Sequence, residues 1–83
     1  MHYVYVLQSL DKAEFYIGCT SDLKRRFGEH NKGLSKSTCH KKWRLVYYEA
    51  YTTPEAARKR EAGLKNDGRV RKFLMERVRA SLE

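Results

Sequence analysis

The hydrophobic and polar positions of this 83-residue chain predict three strands. Residues 2–9 (HYVYVLQS) and 15–19 (FYIGC) are rich in β-branched and aromatic residues, which favour strands. The short polar link LDKAE between them predicts an antiparallel hairpin. Because the first run is almost continuously apolar, we expect that strand to be central and covered on both faces. Residues 43–51 (WRLVYYEAY) predict the third strand.

A helix is predicted directly after the hairpin. Thr20 or Ser21 is expected to cap it, with Asp22 in the first turn, where the helix dipole favours an anion. The helix is expected to run to about Asn31 and to stop at Gly33, a residue type common just beyond helix ends. A polar, basic loop is expected over residues 34–42.

Two further helices are predicted after the third strand. The first begins with Thr53 as its cap and Pro54 in its first position, and it ends near residues 66–68 (NDG). The second carries residues at helical spacing, namely Val70, Phe73, Leu74, Arg77 and Val78. The order β-β-α-β-α-α predicts an α/β fold in which three helices flank a three-stranded, mainly antiparallel sheet. We expect residues 1–83 to form a single domain.

The net charge of the chain indicates a polyanionic partner. The chain has 18 Lys and Arg against 10 Asp and Glu, which gives a formal net charge of +8. Nucleic acid is the commonest partner of such a domain, although a solubilising surface is the alternative. No apolar run approaches the roughly 20 residues of a membrane span, and no signal peptide is recognisable. We therefore expect a cytoplasmic protein. Cys19 and Cys39 fit no zinc spacing and are expected to be free thiols.

Helical spacing places two candidate functional groups beside buried faces. In the first helix, Arg26 and His30 border the apolar stripe formed by Leu23 and Phe27. The alternative for Arg26 is a side chain whose stem merely covers apolar surface.

In the second helix, Glu61 lies on the stripe of Ala57 and Leu64, and the alternative is an ion pair with a neighbour such as Arg60. With the tyrosines of the hairpin, these residues could form a phosphodiester site in which the carboxylate holds a divalent cation.

The motifs in their order resemble those of the GIY-YIG nuclease family. YVY is followed by YIG, with eleven residues from Tyr5 to Tyr16, and DLKRRFGEH comes next. HNKGLSKST, WRLVYYEAY and PEAARKREAGLK are similar to segments of the small stand-alone bacterial branch. The resemblance covers essentially the whole chain and implies the same three-stranded sheet flanked by helices.

The resemblance also implies the site. It assigns catalytic roles to Tyr5, Tyr16, Arg26, His30 and Glu61. Glu61 would hold one Mg²⁺ or Mn²⁺, Arg26 would stabilise the scissile phosphate, and a tyrosine or His30 would assist the attacking water. The residues expected to contact nucleic acid are Gly18, Arg25, Lys36, Lys41 and Lys42. Gly18 could let a phosphate backbone approach or could be a strand-end turn residue.

Two positions depart from the family pattern. Tyr3 stands where the first motif has glycine, and Cys19 stands where some nucleases of the family place a lysine that assists the general base. Activation of Tyr16 therefore has less support, and His30 or a metal-bound water would have to substitute. His40 in the basic loop is expected to be solvated or to contact phosphate. Of Tyr47 and Tyr48, one is expected in the core and the other near Tyr5 or Tyr16.

These features predict a metal-dependent endonuclease that hydrolyses phosphodiester bonds in DNA, a chemistry suited to DNA repair or recombination. Specificity would come from nucleic-acid structure or from a partner protein. The first alternative is a non-catalytic module that binds DNA or RNA on the same fold. A second alternative is a protein-interaction domain, which predicts no salt-sensitive binding of nucleic acid.

Overall fold

The computed structural model describes residues 1–12, 14–33 and 41–82. The expected order β-β-α-β-α-α is confirmed. The strands are β1 (His2–Ser9), β2 (Phe15–Thr20) and β3 (Trp43–Tyr51), and the helices are α1 (Leu23–Asn31), α2 (Pro54–Asn66) and α3 (Gly68–Leu82). None of these helices is both long and apolar enough to cross a membrane.

The three strands form one antiparallel sheet in the order β2-β1-β3, so β1 is central as predicted. Tyr5 lies opposite Gly18 on one side and opposite Tyr48 on the other. Between Val6 and Leu7 the register with β3 shifts by one residue. The resulting bulge turns Val46 and Tyr47 toward the same face, whereas Leu45 lies on the opposite one.

Alternation along β1 divides the core between the two faces of the sheet. Val4 and Val6 pack on one face, against α2 and α3, in a cluster with Ile17, Ala57, Leu64, Leu74 and Val78. Tyr5 and Leu7 point to the other face, where α1 packs, and form a smaller cluster with Trp43, Tyr16, Leu23, Phe27 and Leu45. The expected coverage of β1 on both faces is therefore confirmed, and the candidate residues Tyr5 and Tyr16 lie on the α1 face.

The predicted cap of α1 was wrong by one or two residues. Asp22, rather than Thr20 or Ser21, is the N-cap, because its Oδ1 accepts a hydrogen bond of 3.1 Å from the backbone N–H of Arg25. The hydroxyl of Thr20 instead accepts a hydrogen bond from the backbone N–H of Asp22. The C-terminal end is as predicted, since Gly33 follows the C-cap with a φ of 75°.

The expected stripe of α3 is confirmed for Leu74 and Val78, which are buried. Phe73 also lies in the helix at the predicted spacing, but 65% of its surface is exposed. Helical spacing places Phe73 one residue away from the centre of the stripe, and the sheet below is already covered by Leu74 and Val78.

An ion pair joins β3 to α2 and fixes the part of α2 next to Glu61. Nε and Nη2 of Arg60 donate hydrogen bonds of 3.0 and 3.1 Å to the Glu49 carboxylate. The hydroxyls of Tyr47 and Tyr51 donate to the same carboxylate at 2.7 and 2.6 Å. Because Arg60 immediately precedes Glu61, this network positions the helical turn that carries the predicted metal ligand.

Candidate active site

The phenol of Tyr5 is the centre of the candidate site. Its oxygen lies 2.8 Å from Nε2 of His30, and both side chains are buried. Tyr16 lies on the same face, with its ring 6.3 Å from that of Tyr5 and 4.9 Å from the imidazole. The charges of Arg26 and Glu61 also act on the Tyr5 phenol. The structure therefore brings all five predicted catalytic residues to one region of the α1 face and the β2 edge.

Burial sets the acidity of Tyr5. Desolvation raises its pKa to about 12, and this effect exceeds the opposing influence of a hydrogen bond from Arg26. The phenol is therefore protonated at neutral pH, and its O–H can donate to His30. The pKa of His30 is lowered, first by burial and then by the charge of Arg26, so the imidazole is neutral there and can accept that proton at Nε2.

Gly18 makes room for this phenol. A Cβ on Gly18 would lie 2.5 Å from Cζ of Tyr5 and 3.0 Å from Cε1 of Tyr16. Any larger residue would displace Tyr5, so the motif glycine has a packing role in the middle of β2 rather than at a strand-end turn. Its direct contact with a phosphate stays a prediction.

Arg26 lies at the border between the buried face of α1 and solvent, with 31% of its side chain exposed. Nη1 donates to the Glu29 carboxylate at 3.1 Å. Desolvation lowers the pKa of Arg26, but hydrogen bonds with Glu29 and Tyr5 outweigh it and raise the pKa. The guanidinium is thus a permanent positive charge beside the phenol, with surface left for an anionic ligand.

Glu61 projects from α2 at the edge of β2. Its side chain is 24% exposed, and Oε2 lies 3.3 Å from Nζ of Lys65 one turn later. The predicted alternative of an ion pair is therefore real, although the partner is Lys65 and not Arg60. Nζ of Lys65 also lies 5.7 Å from the centre of the Tyr16 ring, within cation–π range.

The side-chain oxygen atoms around Glu61 are of the type that a hydrated divalent cation binds. Mg²⁺ takes oxygen ligands, keeps several waters, and is often bound through one or two carboxylates together with substrate phosphates. Glu61 offers one partly exposed carboxylate in a cleft shared with the hydroxyl residues Thr20 and Ser21. Within the described ranges, no three His, Cys, Asp or Glu side chains come together as a metal cage. A cation here would therefore rely on water and substrate oxygens, and it would have to replace Lys65 as the partner of Glu61.

The residues predicted to contact nucleic acid are dispersed. Arg25 is exposed and lines a separate cavity along α1 with Lys24 and Lys32. Lys41 pairs with Asp11 at 3.0 Å and with Glu14 at 3.4 Å.

Nζ of Lys42 donates to the carbonyl of Asn31 at 2.7 Å. Lys36 lies outside the described residues, as do Cys39 and His40. Contacts of these basic residues with nucleic acid stay predictions, and for Lys41 they would have to break two ion pairs.

The two tyrosines in the middle of β3 divide as expected. Tyr47 packs against the Val4 and Val6 cluster. Tyr48 is on the Tyr5 face, exposed, with its ring 6.0 Å from that of Tyr3 in an edge-on arrangement. Tyr3, the residue in place of the motif glycine, therefore packs against an aromatic neighbour and not against the Tyr5–His30 pair.

Sequence reasoning missed Lys65. The signal available was its i,i+4 spacing from Glu61, which places the two on one helix face. Its position over Tyr16 was not predictable without the packing of α2 on β2. Cys19, at the position of the lysine in some family nucleases, is a free thiol as expected, and its pKa is raised by burial and then by Glu61.

Comparison with known proteins identifies a family for the chain. The family model described as the GIY-YIG catalytic domain matches residues 1–73. UPF0213 protein SpyM3_1077 and UPF0213 protein SPs0786, both from Streptococcus pyogenes serotype M3, are each 42% identical over 64 residues. The matched region is 72% of this chain and 66% of each relative, so the chain spans slightly less than two thirds of their length. No solved structure matches the chain.

Proposed function

We propose that this chain, which belongs to the GIY-YIG catalytic domain family, is a metal-dependent endonuclease that hydrolyses phosphodiester bonds in DNA. The observation that carries the proposal is the convergence on Tyr5. The phenol hydrogen-bonds to a buried neutral histidine, and the charges of an arginine and of a carboxylate on another helix act on it. A domain that only bound nucleic acid would need the arginine but not this proton-transfer pair or the carboxylate.

Tyr5 and His30 would move the proton of the attacking water. As the water oxygen attacks phosphorus, its proton passes to the Tyr5 oxygen, and the Tyr5 proton passes to Nε2 of His30. The Tyr5 pKa of about 12 argues against a preformed phenolate, which is why an acceptor within hydrogen-bond distance is needed. The leaving oxygen would take a proton from solvent.

Arg26, and Glu61 through a bound cation, would neutralise the negative charge of the phosphate. The guanidinium would neutralise negative charge that builds on the non-bridging oxygens. Glu61 would hold one Mg²⁺ or Mn²⁺, which when bound supplies further charge neutralisation. Both residues are partly exposed, so a phosphodiester can reach them without opening the core.

The same proposal extends to the domain organisation, the cellular location, the pathway and the nucleic-acid contacts of the protein. Residues 1–83 would act as one domain in the cytoplasm, in DNA repair or recombination, with a partner protein or the structure of the nucleic acid supplying specificity. Basic residues outside the centre would hold the nucleic-acid backbone, and the chain offers Gly18, Arg25, Lys36, Lys41 and Lys42 for this. Such contacts orient a substrate without reading its sequence.

A cleavage panel tests the proposal. Supercoiled plasmid, single-stranded, nicked and branched DNA and an RNA would be incubated with Mg²⁺ or Mn²⁺. We expect metal-dependent cleavage that falls by at least about 100-fold in Arg26→Ala and Glu61→Gln, as for other losses of electrostatic stabilisation. Arg25→Ala is the matched control for Arg26, because it removes the same charge one residue away on the exposed side of α1. It should weaken binding and leave cleavage at saturating substrate near the wild-type rate.

The alternative function is a module that binds DNA or RNA without cutting. The ion pair between Glu61 and Lys65 favours it, because a paired carboxylate can have a purely structural role. Salt-sensitive binding by wild type, without cleavage of any substrate and without effect of Glu61→Gln, would establish the module and exclude the nuclease.

A further inference from the structure

The cleft that holds Glu61 lies at the edge of the sheet formed by β2. It has a volume of about 360 Å³ and lies between the end of β2 and the first turns of α2. Thr20 and Ser21 line one wall, and Arg58 and Glu61 line the other. The cleft thus includes the predicted metal ligand, whereas Tyr5 and His30 are not among the residues that line it.

Arg58 differs from the other arginines around the site. Arg26 is paired with Glu29, and Arg60 is paired with Glu49. Arg58 is exposed and makes no hydrogen bond or ion pair with any described residue, although it lies three positions before Glu61 on the same side of α2. An unpaired guanidinium in a cleft with hydroxyl groups has the donors that bind phosphate oxygens.

We propose that this cleft is a phosphate subsite, which binds the phosphodiester group next to the one that is cleaved. The inference rests on the proposed function. Residues three apart on a helix are separated by about 5–6 Å at Cβ, a spacing that suits two successive phosphates on one strand. Arg58 would hold the flanking phosphate, and Glu61, with its cation, would face the scissile one.

The carboxylate of Glu61 does not prevent an anion from binding here. Its charge is balanced by Lys65 at 3.3 Å, and a bound divalent cation would balance it in the same way. The hydroxyl of Ser21, which is exposed at the cleft wall, would add a neutral donor.

Binding without cleavage tests the subsite. A fluorescein-labelled DNA oligonucleotide, single-stranded and as a duplex, would be titrated in EDTA over a range of salt concentrations and followed by anisotropy. Arg58→Ala should weaken binding and reduce the slope of log K against log salt by about 0.7 to 0.9, the loss of one phosphate contact. Lys59→Ala is the matched control, because it removes one charge from the neighbouring exposed position of α2. Arg58→Lys should restore most of the slope.

The results separate this inference from the proposed function. Equal slopes in wild type and Arg58→Ala, or equal losses in Arg58→Ala and Lys59→Ala, would overturn the subsite while leaving the nuclease intact. A fall in cleavage rate at saturating substrate, with unchanged binding, would also overturn it, because Arg58 would then act on the reacting phosphate. A wild-type protein that binds neither oligonucleotide would refute the nuclease proposal itself.

Discussion

The oxygen of Tyr5 and Nε2 of His30 form a buried hydrogen bond of 2.8 Å that joins the central strand to α1. Burial lowers the pKa of His30, and the positive charge of Arg26 lowers it further. An unfolded histidine titrates near about 6.5. Below that pH the unfolded chain therefore binds more protons at this position than the folded protein does, until the folded pKa is reached.

We predict that stability falls as the pH is lowered from about 6.5 toward the folded pKa of His30. His30→Gln should flatten this part of the profile, because glutamine does not titrate and can still meet the Tyr5 hydroxyl. The measurement is the free energy of unfolding by urea, at pH steps from about 7 to 5. If the free energy of unfolding changed with pH in the same way in wild type and in His30→Gln, His30 would not be the group responsible. Arg26, which also acts on the imidazole, keeps its positive charge throughout this range because its pKa is raised.

Two glycines should respond to alanine in opposite directions. A Cβ on Gly18 would meet the Tyr5 phenol, so Gly18→Ala should destabilise the protein by about 1–3 kcal/mol through overpacking. A Cβ on Gly28, inside α1, would meet nothing within 4 Å, so Gly28→Ala should stabilise the protein by up to about 1 kcal/mol. Thermal and urea unfolding of the two variants measure both effects. Equal effects of the same sign would show that the space around Gly18 adapts.

Much of the fold was predictable because its signals are local. The aromatic and β-branched composition of residues 2–9 and the Thr53-Pro54 start of α2 are read directly from the sequence. The cap of α1 was missed because Thr20, Ser21 and Asp22 are all good capping residues, and only backbone geometry selects Asp22.

Much of the candidate site was not predictable from local signals. Spacing placed Arg26 and His30 at the border of a buried face, and the structure confirms that position. The hydrogen bond to Tyr5 and the place of Lys65 over Tyr16 depend on how α1 and α2 pack against the sheet. Glu49 was missed for the same reason, because its partner Arg60 is 11 residues away on another element.

Glu49 should contribute to stability through its four hydrogen bonds. Burial alone would raise its pKa, but hydrogen bonds from Arg60, Tyr51 and Tyr47 lower it. Its contribution is therefore present above the unfolded pKa and is lost as the pH falls through the folded pKa. We expect Glu49→Gln to cost about 1–3 kcal/mol at neutral pH, because the Arg60 guanidinium loses a charged acceptor.

The control for Glu49 is Glu76→Gln, which neutralises an exposed carboxylate on α3. Urea unfolding at neutral pH should leave that variant close to wild type. If Glu49→Gln unfolds at the same urea concentration as Glu76→Gln, the network between β3 and α2 does not contribute as the geometry implies.

Lys65 should compete with a divalent cation for Glu61. The two side chains are paired at 3.3 Å but are 47% and 24% exposed, so the pair is worth no more than about 1 kcal/mol. Lys65→Ala should therefore tighten Mn²⁺ binding by up to about fivefold, the equivalent of that energy. Titration of Mn²⁺ followed by electron paramagnetic resonance measures this without any turnover. Lys72→Ala, an exposed lysine on α3, is the control for net charge. Weaker Mn²⁺ binding in Lys65→Ala than in Lys72→Ala would mean that Lys65 orients Glu61 for the metal and does not compete with it.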